Sequence, residues 1–149
     1  MTDIRFYHLQ RKPLERALPE LLEKVLERGS RAVVMAGSEE RVEHLASLLW
    51  TYDDRSFLPH GSARDGFAAD QPVYLTAEDE NPNGAKVLVL TDGASSASVD
   101  AFEICCELFD GNDEEAVGAA RARWTAYRDA GHAITYWQQT ERGGWERKA

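Results

Sequence analysis

Ala32-Val-Val-Met-Ala36 is an unbroken apolar run, and Gly37-Ser38-Glu39-Glu40 follows it directly. A strand covered by other elements on both faces needs an apolar side chain at every position rather than every second one, the pattern of an interior strand in a parallel sheet. Ser38 then stands where a hydroxyl can cap a helix, and Glu39 and Glu40 bring negative charge to the positive end of its dipole. Val42, Leu45, Ala46 and Leu49 give that helix one apolar stripe, closing near Trp50. Strand, tight turn and amphipathic helix together are the repeating unit of an α/β sheet.

Working outward, the same alternation recurs. Residues 3–9, with Ile4, Phe6 and Tyr7, read as a first strand. Leu14, Ala17, Leu18, Leu21, Leu22, Val25 and Leu26 recur at helical spacing, Pro19 falls within the first turn or kinks that helix, and Gly29 ends it. Residues 51–83 are rich in turns, with short strands expected at Phe57-Leu58 and Val73-Tyr-Leu75. Lys86-Val-Leu-Val-Leu90 repeats the fully buried pattern and ends in Thr91-Asp-Gly93. Residues 99–108 read as an amphipathic helix containing Cys105 and Cys106. Asn112 is placed to cap a last long helix, with Glu115 in capping-box position, and residues 133–138 close the sheet. Residues 141–149, polar and glycine-bearing, read as a loosely held tail. The expectation is a single domain over residues 1–149, an open, mostly parallel α/β sheet flanked by helices on both faces.

Composition narrows the function. The chain has 149 residues, 43% of them hydrophobic and 29% charged, and a formal net charge of −9. Such a balance argues against general nucleic-acid binding, which needs a basic field to displace counterions from phosphates. No apolar run approaches the ~20 residues of a membrane span, and the N-terminus lacks the apolar core of a signal peptide. Adjacent cysteines on a helix cannot pair with each other, and two thiols do not make a zinc site, so buried thiols in a reducing, cytoplasmic setting are expected.

The chemistry is marked by what is missing. Neither strand-to-helix turn offers a phosphate-binding glycine pattern, and the turn at Gly37 carries two glutamates where a phosphate would sit. The histidines at 8, 44, 60 and 132 show no metal-ligand spacing, and no serine lies in a nucleophile elbow. No metal, cofactor or catalytic residue is assigned. A small nucleotide-binding protein or enzyme using the strand ends near Gly37 and Gly93 stands as the alternative.

Two stretches suit binding. In Arg121-Ala-Arg-Trp-Thr-Ala-Tyr-Arg-Asp-Ala-Gly131, helical geometry puts Arg121, Trp124, Thr125 and Arg128 within roughly 100° of one another, with Val117 one turn earlier. Arginine forks take carboxylates in pairs of hydrogen bonds, and an aromatic surface receives an apolar side chain. The competing reading is a solvated face whose arginines pair with nearby acids while Trp124 packs on the sheet. The second stretch runs from Leu49 to Gly61, where Trp50, Tyr52 and Phe57 leave a helix into a proline-turned loop; these rings either cover the sheet edge or form an exposed patch.

Phe6-Tyr7-His8-Leu9, Leu49-Trp50 with Ser56-Phe57-Leu58-Pro59-His60-Gly61, and Glu107-Leu-Phe-Asp-Gly111 followed by Arg121 to Gly131 occur in an order that resembles the chi subunit family of bacterial DNA polymerase III. The resemblance runs over essentially the whole chain. It implies a nucleotide-fold-like α/β domain without a working nucleotide site, and a non-catalytic adaptor of the replication machinery. Chi subunits bind the acidic C-terminal tail of single-stranded-DNA-binding protein and join the clamp-loader complex through the psi subunit. By that likeness Arg121 and Arg128 contact the acidic tail, Val117 and Trp124 line the pocket for its terminal Phe, Thr125 sits beside them, and Gly131 permits close backbone approach. Some members carry lysine where this chain has Thr125, which removes one cationic contact that Arg123 is placed to replace. Trp50 and Phe57 inherit the psi-facing role, a surface that a helicase could share.

Overall fold

A computed structural model describes residues 2–10, 12–53, 58–142 and 144–149. Strand β1 (Asp3–Leu9) leads into helix α1 (Leu14–Glu27), strand β2 (Ala32–Met35) and helix α2 (Glu39–Thr51). Short strands β3 (Gly61–Ser62) and β4 (Val73–Thr76) follow, then β5 (Val87–Leu90) and β6 (Ile104–Asp110). Helix α3 (Glu114–Asp129), β7 (Ala133–Gln139) and β8 (Trp145–Arg147) complete the chain. The sheet order is β3-β4-β2-β5-β6-β1-β7-β8, parallel throughout except for the antiparallel β8. The expected open α/β sheet is therefore present.

Which face each helix covers follows from the handedness of parallel crossovers, which are almost always right-handed. From β1 to β2, and from β2 to β3, the chain moves one way across the sheet, and α1 and α2 lie on one face. Moving back from β6 to β7 puts α3 on the opposite face. Two core layers result. Leu18, Leu22, Val42, Leu45 and Leu49 pack on Val34, Val89, Cys106 and Leu108 in one. Ala120, with Val117, Trp124 and Tyr127, packs around Ile4, Phe6, Cys105 and Phe109 in the other.

The cap expected at Ser38 is present: Ser38 Oγ accepts from the Arg41 amide at 3.2 Å and caps α2. Other local expectations are corrected. Pro19 is the sixth residue of α1, beyond the first turn expected for it, and the helix continues to Glu27. Residues 99–108 do not form a helix: Val99–Ala101 is a single 3-10 turn, and β6 follows it in the middle of the sheet. A strand buried on both faces is apolar at nearly every position, so period alone does not separate it from a buried helix. Cys105 and Cys106 consequently point to opposite faces, one in each core layer, and burial pushes both thiols up, Cys106 to about 12. The cap of α3 is Asp113 rather than Asn112; its carboxylate accepts from the amides of Glu115 and Ala116 at 3.0 and 3.4 Å. Asn112 instead donates to the Gln10 carbonyl at 2.9 Å. The end of the chain is not a loose tail, because β8 pairs with β7 and the Trp145 ring meets Tyr7 edge-on with centroids 4.9 Å apart. A strand at Phe57-Leu58 lies partly outside the described residues; Leu58 itself is buried without strand structure.

Candidate functional site

Helix α3 carries the arginine strip on its outer side. Ala120 faces the sheet, and Trp124 is half-buried, its ring meeting Phe6 and Tyr136 edge-on at centroid distances of 5.5 and 6.0 Å. The indole is thus fixed from beneath by two aromatic neighbours while part of it reaches solvent. Val117 is half-buried one turn earlier. Arg121, Thr125 and Arg128 are exposed along the same side, and the Thr125 hydroxyl donates back to the Arg121 carbonyl at 3.3 Å. Among the described residues Arg121 makes no ion pair. Among the described residues Arg128 pairs with its neighbour Asp129, at 3.8 Å with both side chains well exposed, a contact that contributes little in water. Gly131 has a φ of 88° just beyond the helix, and a Cβ built on it would meet nothing within 4 Å. Its visible role is to end α3 in a left-handed conformation.

Arg123 turns the other way. Its Nε donates to Glu107 Oε2 at 2.8 Å, and the Tyr127 hydroxyl donates to the same oxygen at 2.9 Å. Glu107 is 1% exposed on the α3 face of β6. Burial pushes its carboxyl up, and Arg123 and Tyr127 pull it back. Arg123 is therefore the clamp that holds α3 to the sheet and is not free to replace a cation lost at Thr125. The sequence marks Glu107 only as part of the Glu107-Leu-Phe-Asp-Gly111 motif; its pairing with Arg123 depends on a strand that helical periodicity hides.

His8, at the end of β1, is 8% exposed and bonded through Nδ1 to the Tyr136 hydroxyl. Desolvation lowers its pKa, with the positive charge of Arg121 adding to the effect.

The second predicted surface lies elsewhere. Trp50, at the end of α2, is 61% exposed with its ring 4.9 Å from that of His60. Phe57 lies outside the described residues. Phe67, in the β3–β4 connection, is 78% exposed and adopts a left-handed φ of 54°; its sequence context of small and polar residues gave no signal for it. Trp50 is on the α2 face near β3, whereas the strip is on the α3 face over β6, β1 and β7. The two surfaces are on opposite faces and opposite halves of the sheet.

The strand ends near Gly37 and Gly93 border a cleft of about 710 Å³ lined by Leu9, Pro13, Arg41, Asp92, Asp110 and Arg123, among others. It lies where open α/β sheets receive ligands. Its cationic side chains are already engaged: Arg41 grips Asp92 with two bonds of 3.0 and 3.1 Å, Lys12 meets Glu20 at 3.1 Å, and Arg123 holds Glu107. The Gly37 amide donates to Asp92 Oδ2 at 3.4 Å. The Asp92 carboxylate therefore sits on the β2–α2 turn in the position a phosphate would take, an internal anion supplied by the next strand over. Among the described residues no group of three His, Cys, Asp or Glu is arranged to hold a metal ion, and no helix is long and apolar enough to cross a membrane.

Comparison with known proteins gives the geometry its context. Residues 1–135 match the family model described as DNA polymerase III chi subunit, HolC. A curated relative, "Probable DNA polymerase III subunit chi" of Rickettsia prowazekii (strain Madrid E), is 34% identical over 99 residues, which cover 66% of this chain and 60% of that protein. With nine-tenths of its length inside the family model and the α/β architecture in hand, this chain belongs to the DNA polymerase III chi subunit family.

Proposed function

We propose that this protein is a non-catalytic adaptor that joins the clamp-loader complex of DNA polymerase III to single-stranded-DNA-binding protein. The exposed face of α3 takes the acidic C-terminal tail. Arg121 and Arg128 receive its carboxylates, and the terminal Phe rests against Trp124 and Val117. The observation that supports this most is the arrangement of the strip: two outward guanidinium groups, Arg121 without an ion pair among the described residues and Arg128 facing the exposed Asp129 at 3.8 Å, stand on either side of a half-buried indole in a chain of net charge −9. Thr125 adds a hydroxyl but no charge, so the site relies on two cations. Trp50, with Phe57, forms the second surface and meets the psi subunit or a helicase; Phe67 extends the same sheet edge. Linking two individually weak contacts in one body raises the effective concentration of each partner for the other.

A fluorescence titration with a labelled peptide of several aspartates ending in Ile-Pro-Phe tests the reading. Arg128→Ala should weaken binding by about tenfold or more, the scale of a lost charge-assisted hydrogen bond, with the thermal midpoint unchanged. Equal affinity for both proteins would remove the strip from the mechanism. Stabilisation by ATP and Mg²⁺ in a thermal-shift assay, with none from the peptide, would favour the strand-end cleft instead; the Arg41–Asp92 pair argues against that outcome.

A further inference from the structure

The face of the sheet opposite α3 is only partly covered. Helix α1 crosses from β1 towards β2, so it shields the middle of the sheet and leaves β7 and β8 beyond its edge. Side chains on a strand point alternately to the two faces, and the registers Tyr7↔Trp137 and Trp137↔Arg147 put Tyr7, Trp137 and Arg147 on one face; Gln139↔Trp145 adds Trp145. A groove of about 250 Å³ runs between Tyr7, Trp137 and Trp145 on one side and α1 on the other, with Leu21, Val25, Ile104 and Cys106 in its walls. Its volume falls below the range of pockets for drug-sized ligands, and it suits one large side chain better than a whole small molecule.

The charges around the groove are unbalanced. Asp3 is bound to Arg5 at 3.0 Å, and Glu20, the carboxylate in the groove wall, is bound to Lys12 at 3.1 Å. Lys24 and Arg28, exposed on the last turn of α1 and just beyond it, make no ion pair among the described residues. Arg147 is exposed on the same face, and its Nε donates to the backbone oxygen of Ala149 at 3.0 Å. The Trp137 Nε1 hydrogen is spent on Thr135 Oγ1 at 2.9 Å, so the ring offers apolar surface and no unsatisfied polar atom. Lys24 and Arg28 thus stand at the rim of an aromatic floor on a protein of net charge −9. β8 ends the sheet, and its outer edge can accept an extended segment by strand addition.

We propose that this groove docks a short acidic segment of a partner protein, with one large apolar side chain against Trp137 and Trp145 and its flanking carboxylates on Lys24 and Arg28. The site is separate from the α3 strip and does not rest on the reading of that strip. A protein segment is favoured over nucleic acid because the cations form a rim around one side-chain-sized hollow and no continuous track for a phosphate backbone.

The test uses the full chain carrying Arg121→Ala and Arg128→Ala, and a fluorescein-labelled, C-terminally amidated peptide with a single internal Phe between aspartates. Amidation removes the free carboxylate that the α3 strip would select. Binding that falls at least tenfold with Lys24→Glu/Arg28→Glu, weakens with salt and shifts the Trp137 and Trp145 indole resonances supports the proposal. If the charge-reversed protein fails to fold, Lys24→Gln/Arg28→Gln should still lower affinity several-fold. No saturable binding up to millimolar peptide, binding indifferent to residues 24 and 28, or tighter binding of a twelve-residue oligothymidylate through the same residues would each overturn it.

Discussion

At Gly111 there is no room for a side chain. A Cβ there would lie 1.8 Å from both Cδ2 and Nε2 of His8 and 2.9 Å from the Leu9 carbonyl oxygen. His8 cannot swing aside, because it is buried and tied to Tyr136. Gly111→Ala should therefore cost about 3 kcal/mol, at the upper end of overpacking penalties, measured by urea denaturation. His8 itself gives a pH signature. Its folded pKa is lowered, so the unfolded chain binds the proton more readily than the native protein does. The associated stability is fully present above the ordinary imidazole range and is lost as pH falls through it towards the folded value. Comparing urea midpoints at pH 7.5 and 5.5, His8→Gln should show a smaller acid loss than the parent.

At the scale of elements, α3 is held to the sheet by a polar clamp, Arg123 and Tyr127 on Glu107, set among apolar contacts. Removing the carboxylate while keeping Arg123 leaves a largely buried cation without its partner. Glu107→Ala should cost about 3 kcal/mol or more, and the circular dichroism midpoint should fall accordingly. Trp124 fluorescence should shift as the helix loosens from Phe6 and Tyr136. The Asp113 cap is a smaller contribution, and Asp113→Ala should cost about 1 kcal/mol. These elements also show how far the sequence could be read. β2 and β5 were legible because runs such as Val87-Leu-Val-Leu90 are short and bounded by turn residues. β6 was not, since Phe102, Cys105 and Phe109 imitate helical spacing when both faces of a strand are buried. The α3 strip was legible as a face, because periodicity alone assigns Arg121 and Arg128 to one side. The inward commitment of Arg123 was not, because it depends on Glu107 arriving from a strand that helical periodicity hides. β8 is three residues long and was lost among polar neighbours.

For the molecule as a whole, the sheet separates the proposed binding surfaces. Five strands lie between β3 and β7, so these two strands stand roughly 30 Å apart at the usual strand spacing. Mutations that far apart with no shared partners should act additively. Trp50→Ala should leave affinity for the acidic tail peptide within twofold, and Arg128→Ala should likewise leave psi binding unchanged in a calorimetric titration. Raising the salt concentration should weaken the tail contact more than the Trp50 contact, because only the first is carried by exposed charges.

The adjacent thiols of β6 turn the sheet into a pair of separately readable compartments. Cys105 belongs to the layer beneath α3 and Cys106 to the layer beneath α1 and α2, although the two sulfurs are neighbours in sequence. Each is inert while its own layer is shut, so single-cysteine versions, Cys106→Ala and Cys105→Ala, would act as clocks for the transient opening of one half at a time. Alkylation of Cys105 should quicken more than that of Cys106 when Glu107 loses its grip on Arg123, because that clamp holds the α3 layer.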